Sequence, residues 1–219
     1  MLIKNFENRL LLDKEKIENH GYLLGIDEVG WGPVAGPVCL GFCLINKEGL
    51  VQLKKRAEEE PLFKWVKDSK RLAEKKRLAI EELIKEENKL EIKAWASFGT
   101  VETINKQGLA EAYEEALQLG LEGINLKDTK IIIDGIRKPH RPLTNLEMIK
   151  KGDDLSWTIA LASIFAKNKR DRYIEKIHRE HQVYNWQKNK GYATAEHIEA
   201  IKKEGLSPHH RVGACKNFK

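Results

Sequence analysis

The stretch that decides the reading is Gly25 to Val38, GIDEVGWGPVAGPV. An apolar run, Tyr22-Leu23-Leu24-Gly25-Ile26, ends in two adjacent acids, Asp27 and Glu28, and then enters a segment of glycines and prolines. A strand that ends in doubled negative charge and continues without side-chain bulk has two readings. Either it is a charged surface turn, or it holds something positive while something large comes close to the backbone. Beyond it, Val38 to Ile45 (VCLGFCLI) reads as a second, buried strand, and the short turn-rich link predicts an antiparallel hairpin.

Outward from the hairpin, strands and helices interleave. Leu2, Ile3, Phe6, Leu10 and Ile17 fall near helical spacing and predict an N-terminal helix over 2–18. Helices are expected over 73–88, 108–119, 157–181 and 195–204, and strands over 92–98, 131–133 and 146–149. This is an α/β pattern with a mixed sheet, a main domain over 1–180 and a small C-terminal helical lobe over 181–219. No apolar run is long enough to span a bilayer, and the N-terminus has an early acid and no small-residue cleavage site. Cys39, Cys43 and Cys215 are few, odd in number and poorly spaced for a metal, and read as small core hydrophobes in a reducing compartment. The expectation is a cytoplasmic protein, monomeric, with no membrane and no identifiable protein partner.

Charge narrows the partner. The formal net charge is +6, yet residues 1–150 balance and the whole excess lies in 151–219. Such asymmetry fits a polyanionic partner, although a solvated basic face gives the same count.

Three times an apolar strand-like run is followed by acid: Ile26-Asp27-Glu28, Ile133-Asp134-Gly135, and Ile149-Lys150-Lys151-Gly152-Asp153. One such acid reads equally well as a turn former or helix cap. In an α/β sheet, however, ligands collect where strands end, so acids far apart in sequence can converge there. Four converging carboxylates repel one another unless cations neutralise them, and hard oxygen donors suit Mg²⁺ or Mn²⁺ rather than zinc. Two such ions about 4 Å apart form the clamp used for in-line attack on a phosphodiester. The chemistry is that of a metal-dependent nuclease with a basic flank for nucleic acid.

At this point the chain resembles type 2 ribonuclease H, the ribonuclease HII family. The resemblance runs from Gly25 to about Arg211 through GIDEVGWGPVAGPV, DSKRL (68–72), IIIDG (131–135), KGD (151–153), ASIFAKNKRD (162–171), NKGYATAEH (189–197) and HHR (209–211). It implies a ribonuclease H-like mixed β-sheet flanked by helices. It also implies hydrolysis of the RNA strand of RNA/DNA hybrids and cutting at ribonucleotides embedded in duplex DNA, leaving 3′-hydroxyl and 5′-phosphate ends. Carried over by motif, the metal-binding acids are Asp27, Glu28, Asp134 and Asp153, with Asp154 the competing register and two divalent ions, Mg²⁺ or Mn²⁺, expected with substrate. Gly30-Trp31-Gly32 would meet the 2′-hydroxyl that separates RNA from DNA. Tyr192 would pack against the sugar on the 3′ side of the cut. Ser69, Lys70, Ser163 and Lys167 would contact phosphate, and the lobe beyond 180 would help hold the duplex. His210 and Arg211 are further candidates, a histidine being able to protonate a leaving group. Asp171 is expected to face solvent or pair with an arginine.

Two departures stand out. The family usually has arginine where this chain has Trp31, which predicts loss of a cation beside the loop and weaker discrimination at single ribonucleotides relative to continuous hybrid. Asn189 stands where histidine is common. Rival readings are a non-catalytic hybrid-binding protein and another nuclease on the same fold, such as a junction resolvase.

Overall fold

A computed structural model describes residues 2–87 and 90–218, with the backbone alone for residues 2–4. The chain opens with helix α1 (Leu2–Ile17), followed by strands β1 (Tyr22–Val29) and β2 (Val38–Asn46) and helices α2 (Lys47–Glu59) and α3 (Glu74–Glu86). Strand β3 (Lys93–Gly99), helices α4 (Val101–Gln107) and α5 (Leu109–Leu121), and strands β4 (Thr129–Asp134) and β5 (Leu146–Ile149) come next. The short helix α6 (Gly152–Leu155) precedes the long α7 (Trp157–Glu180), and α8 (Trp186–Asn189) and α9 (Ala195–Glu204) form the C-terminal lobe. Asn88, the expected end of the 73–88 helix, and the terminal residues Met1 and Lys219 lie outside the described residues.

The five strands run in the order β3-β2-β1-β4-β5. β1 pairs antiparallel with β2, with Asp27 opposite Gly41, and parallel with β4, with Ile26 opposite Ile133. The sheet is therefore mixed, as the turn-rich link between the first two strands implied. Because strand side chains alternate between faces, Leu23 and Ile132 pack on one side and Leu24, Ile26, Ile131 and Ile133 on the other. Fully burying each such side chain stabilises by about 1.5–3 kcal/mol. The second face is covered by Ala112, Tyr113, Ala116 and Leu117 of α5. Helix α7 crosses the first face so closely that a Cβ on Gly41 would lie 1.9 Å from the Ala162 carbonyl oxygen.

Four α-helices among the described residues are additional to those expected, the one-turn α6 and α8 and the longer α2 and α4. α2 shows only Leu50, Leu53 and Ala57 to the core amid a heavily charged sequence, and starts where Asn46 accepts the Gly49 N–H. α4 starts likewise at Thr100, whose hydroxyl accepts the Thr103 N–H. Caps, rather than apolar periodicity, mark α2 and α4. The three cysteines are buried and free.

Helix α1 fixes where α6 and α7 begin. Arg9 is buried and donates to the carbonyls of Val66 (2.8 Å) and Asp154 (3.0 Å). Asp13 is fully buried and accepts the Ser156 hydroxyl (2.6 Å) and the Thr158 N–H (3.0 Å) at the start of α7. Desolvation pushes Asp13 up to about 7 against those donors. Its folded value thus lies above its unfolded one. The stability it contributes is fully present below pH 4 and is lost as pH rises through about 7. Asp13→Asn should remove a slope of up to about 1.4 kcal/mol per pH unit over that window. Chemical denaturation of both proteins from pH 4.5 to 8 measures it, and parallel profiles would refute the assignment.

Candidate active site

Asp27 lies two residues before the end of β1, and Asp134 ends the neighbouring parallel strand β4. Asp153 stands in α6, immediately after β5. Three adjacent strands thus bring their acids to one edge of the sheet. By alternation Asp27 shares the face of Gly25, on which α7 packs, while Glu28 turns to the α5 side. Asp134 accepts the Gly152 N–H at 2.5 Å, which fastens α6, and Asp153 with it, to the end of β4. Asp154 turns to Arg71 at 3.2 Å, whereas Asp153 feels the charge of Asp134.

The carboxylates feel one another. Asp27 is buried and raised well above the carboxylate range, first by desolvation and then by the charges of Glu28, Asp134 and Asp153, while a hydrogen bond from Ser163 works the other way. Glu28 is raised by desolvation and by Asp134, with Arg137 and Lys70 opposing. Asp153 is pushed up to about 6 by desolvation and by Asp134, Asp68 and Asp154. Lys70 is the matching cation: partial burial works to lower it, but Asp27, Asp68, Asp153 and Asp134 outweigh that and raise it. The donor set is all carboxylate, which fits Mg²⁺ or Mn²⁺ and not a thiolate or imidazole metal. These oxygens are spread along the edge rather than drawn into a cage: among the described residues, the three-ligand set lying within 4.8 Å is a different one, Glu180, His181 and His209.

The glycine loop next to the acids is held by two buried arginines. Arg211 donates to the carbonyls of Gly30 (2.6 Å), Trp31 (3.1 Å) and Gly36 (2.8 Å). Arg170 donates to those of Ala35 (3.1 Å), Pro37 (3.2 Å) and Lys190 (3.1 Å). Gly30 is needed by the fold itself, with φ at +91° and an imagined Cβ 2.4 Å from Arg170 Nε. Gly32 is not: it is exposed, and its Cβ would meet only Tyr192 Cε1 at an ordinary 3.6 Å. The missing side chain there leaves room beside the half-exposed Tyr192.

Tyr192 is seated from beneath by neutral histidines. His197 Nδ1 lies 2.8 Å from the Tyr192 carbonyl, and its Nε2 accepts the Trp186 indole N–H at 2.9 Å and lies 3.1 Å from His210 Nε2. One set of tautomers satisfies the chain, with His197 Nδ1–H donating to Tyr192, His210 Nε2–H donating to His197, and the Ser207 N–H donating to His210 Nδ1. Desolvation lowers both rings, His210 to about 4.

Several expected contacts are differently employed. His210 is fully buried in this relay and Arg211 in clamping the loop, so both position the site from within the fold. Lys167 forms an ion pair with Asp171, which also accepts from Arg77 at 2.9 Å. Asp171 is thus buried and paired with an arginine, not solvent-facing, and the Lys167 ammonium is engaged there. Ser69 and Ser163 are buried and share a 2.8 Å hydrogen bond. Asn189 supports the turn before Tyr192, donating to the Tyr184 carbonyl and accepting the Gly191 N–H. The expected loss of a cation at Trp31 is corrected by Arg137, whose guanidinium carbon lies 3.4 Å over the indole, with Tyr113 edge-on at 6.2 Å. Nothing in the local sequence announced Arg137, because the stacking joins residues from two separate strand ends.

Comparisons with known proteins bear on the family and the fold. The profile of the Ribonuclease HII family matches residues 24–218. A ribonuclease HII of Wolbachia pipientis is 36% identical over 198 residues, 90% of each chain. One of Caldicellulosiruptor bescii is 35% identical over 208 residues, 94% of this chain and 93% of the relative. Among solved structures, ribonuclease H2 of Pyrococcus horikoshii superposes with a TM-score of 0.69 at 23% identity, covering 90% of this chain and 96% of that one. Bst-RNase HIII in complex with Mn²⁺ superposes at 0.65 and 18% identity, covering 93% and 71%. These two likenesses bear on the fold, a mixed sheet flanked by helices. With its profile match across nearly the whole length and relatives above 30% identity, the chain belongs to the ribonuclease HII family.

Proposed function

We propose that this metal-dependent endoribonuclease cuts the RNA strand of RNA/DNA hybrids and also cuts at ribonucleotides embedded in duplex DNA, leaving 3′-hydroxyl and 5′-phosphate ends. The observation that carries the reading is the set of acids from three adjacent strand ends, with Asp27, Glu28 and Asp153 raised by burial and by neighbouring carboxylates, beside a loop in which Gly32 has no structural need to be glycine. Asp27, Glu28, Asp134 and Asp153 would hold two divalent ions, Mg²⁺ or Mn²⁺. Such ions supply Lewis acidity that activates water and stabilises the departing oxygen. Lys70, exposed and in the field of Asp27, Asp153 and Asp134, faces the phosphate being cut. The Gly30-Trp31-Gly32 backbone reads the 2′-hydroxyl, and Tyr192 packs on the neighbouring sugar. Arg137 stacked on Trp31 gives that loop a positive edge toward the strand. Ser69 and Ser163 act on the reaction through Asp27, which accepts from Ser163.

Labelled hybrid, DNA with one embedded ribonucleotide, and all-DNA duplex, each with Mg²⁺, Mn²⁺ or EDTA, test this reading. Metal-dependent cutting of both ribonucleotide-containing duplexes is expected, with all-DNA intact and Asp134→Asn inactive. The ratio of the two rates in the wild type and Trp31→Arg reads how far the Trp31–Arg137 pair substitutes for an arginine in the loop. Tight hybrid binding without cutting would favour a non-catalytic binding protein.

The glycines give a second, sharper expectation. Gly32→Ala should keep its stability within about 0.5 kcal/mol while cutting about tenfold slower or worse, a barrier increase of about 1.4 kcal/mol. Gly30→Ala should lose about 1–3 kcal/mol of stability through its left-handed backbone and the clash with Arg170. Thermal melts and single-turnover rates of the two variants separate these roles. Normal cutting by Gly32→Ala would remove that loop from substrate recognition.

A further inference from the structure

Among the described residues, Glu180, His181 and His209 bring one ligating atom each to within 4.8 Å of one another. Glu180 ends α7, His181 caps it, and His209 comes from the C-terminal segment. At metal–nitrogen bonds of about 2.0–2.1 Å, tetrahedral ligands stand roughly 3.4 Å apart, so small rotamer adjustments would close this set on one ion. The donors are two imidazoles and a carboxylate, which suit a borderline transition metal such as Zn²⁺ and distinguish the set from the all-carboxylate edge of the sheet.

The surroundings are those of a ligand set. The Tyr173 hydroxyl lies 3.1 Å from His209 Nδ1, an outer partner of the kind that orients ligating imidazoles and leaves the other nitrogen for the metal. The rings of His181 and His209 are 5.5 Å apart, and Trp186 stands edge-on to both at 5.9 and 6.1 Å. His181 and His209 are half-buried and Glu180 is exposed, so the position opens to solvent on one side.

We propose that Glu180, His181 and His209 form a second metal site, specific for a divalent transition metal and separate from the catalytic acids. Its place gives it a use. The His209 carbonyl accepts the Gly36 N–H at 2.9 Å, and two residues on, Arg211 clamps Gly30, Trp31 and Gly36. An ion joining α7 to His209 ties the C-terminal lobe, and through it the glycine loop, to the central helix.

The test is titration of Zn²⁺ into the full chain against a chromophoric chelator, with millimolar Mg²⁺ present to occupy the carboxylate edge, and of Co²⁺ followed by its visible d–d absorption. One Zn²⁺ per chain is expected, with an imidazole-type Co²⁺ spectrum. His209→Ala should weaken binding at least about tenfold. Because His209 also packs against Tyr173 and Trp186, His181→Gln and Glu180→Gln serve as variants on the open side, each compared with the wild type by metal-free melting. Weakened Zn²⁺ binding by His181→Gln, with an unchanged metal-free melt, supports the site. Absence of Zn²⁺ binding in the presence of Mg²⁺, or binding that His181→Gln leaves unchanged, overturns it.

Discussion

The mutual repulsion of carboxylates is the constraint on which this structure turns. Adjacent parallel strands have their C-terminal ends at the same level, so an acid ending each one must meet its neighbours. Asp27 carries the largest burden, buried and under the charges of Glu28, Asp134 and Asp153. Left alone, such a group lowers stability, because desolvation and like charge both penalise its ionised form. The fold accepts that cost at one edge and compensates elsewhere, a distribution typical of sites built to receive cations.

Much of the remaining architecture holds that edge in place. α1 contributes two buried ionisable residues to the task, Arg9 fastening the segment around Val66 and Asp154, and Asp13 seating the first turn of α7. α7 lies directly on Gly25 and Gly41, so Ser163 reaches Asp27 from above. Arg170 and Arg211 hold the glycine loop through five of its carbonyls, Arg170 also ties Lys190 of the C-terminal lobe to it, and the histidine relay seats Tyr192 beside that loop. The open side of the site is thus defined by backbone fixed from behind. That arrangement suits recognition of a sugar hydroxyl and phosphates, which carry no base sequence.

The strand ends were legible because hydrophobic runs stopping at acid are a local pattern, and so were the hairpin, the mixed sheet and the long helix over 157–180. α2 and α4 escaped notice because their apolar stripes are thin and their caps are single side chains, Asn46 and Thr100. Side-chain partners were the least legible part. Lys167 reads like a phosphate contact until Asp171, one turn along the same helix, takes its charge. His210 and Arg211 read like surface chemistry until the lobe buries them. Arg137 over Trp31 joins positions 106 residues apart, a pairing that exists only once β1 and β4 lie side by side. Residue types gave the chemistry of the site; three-dimensional neighbours decided which of those residues remain available for it.

If repulsion relieved by cations is the organising constraint, removing one charge from the edge must stabilise the metal-free protein and blunt its response to metal. The direct measurement is the melting temperature of the wild type and Asp27→Asn at pH 8, in EDTA and with Mn²⁺. The account predicts that Asp27→Asn melts higher than the wild type in EDTA and gains less from Mn²⁺. A variant that melts lower in EDTA and gains as much from Mn²⁺ as the wild type would contradict it.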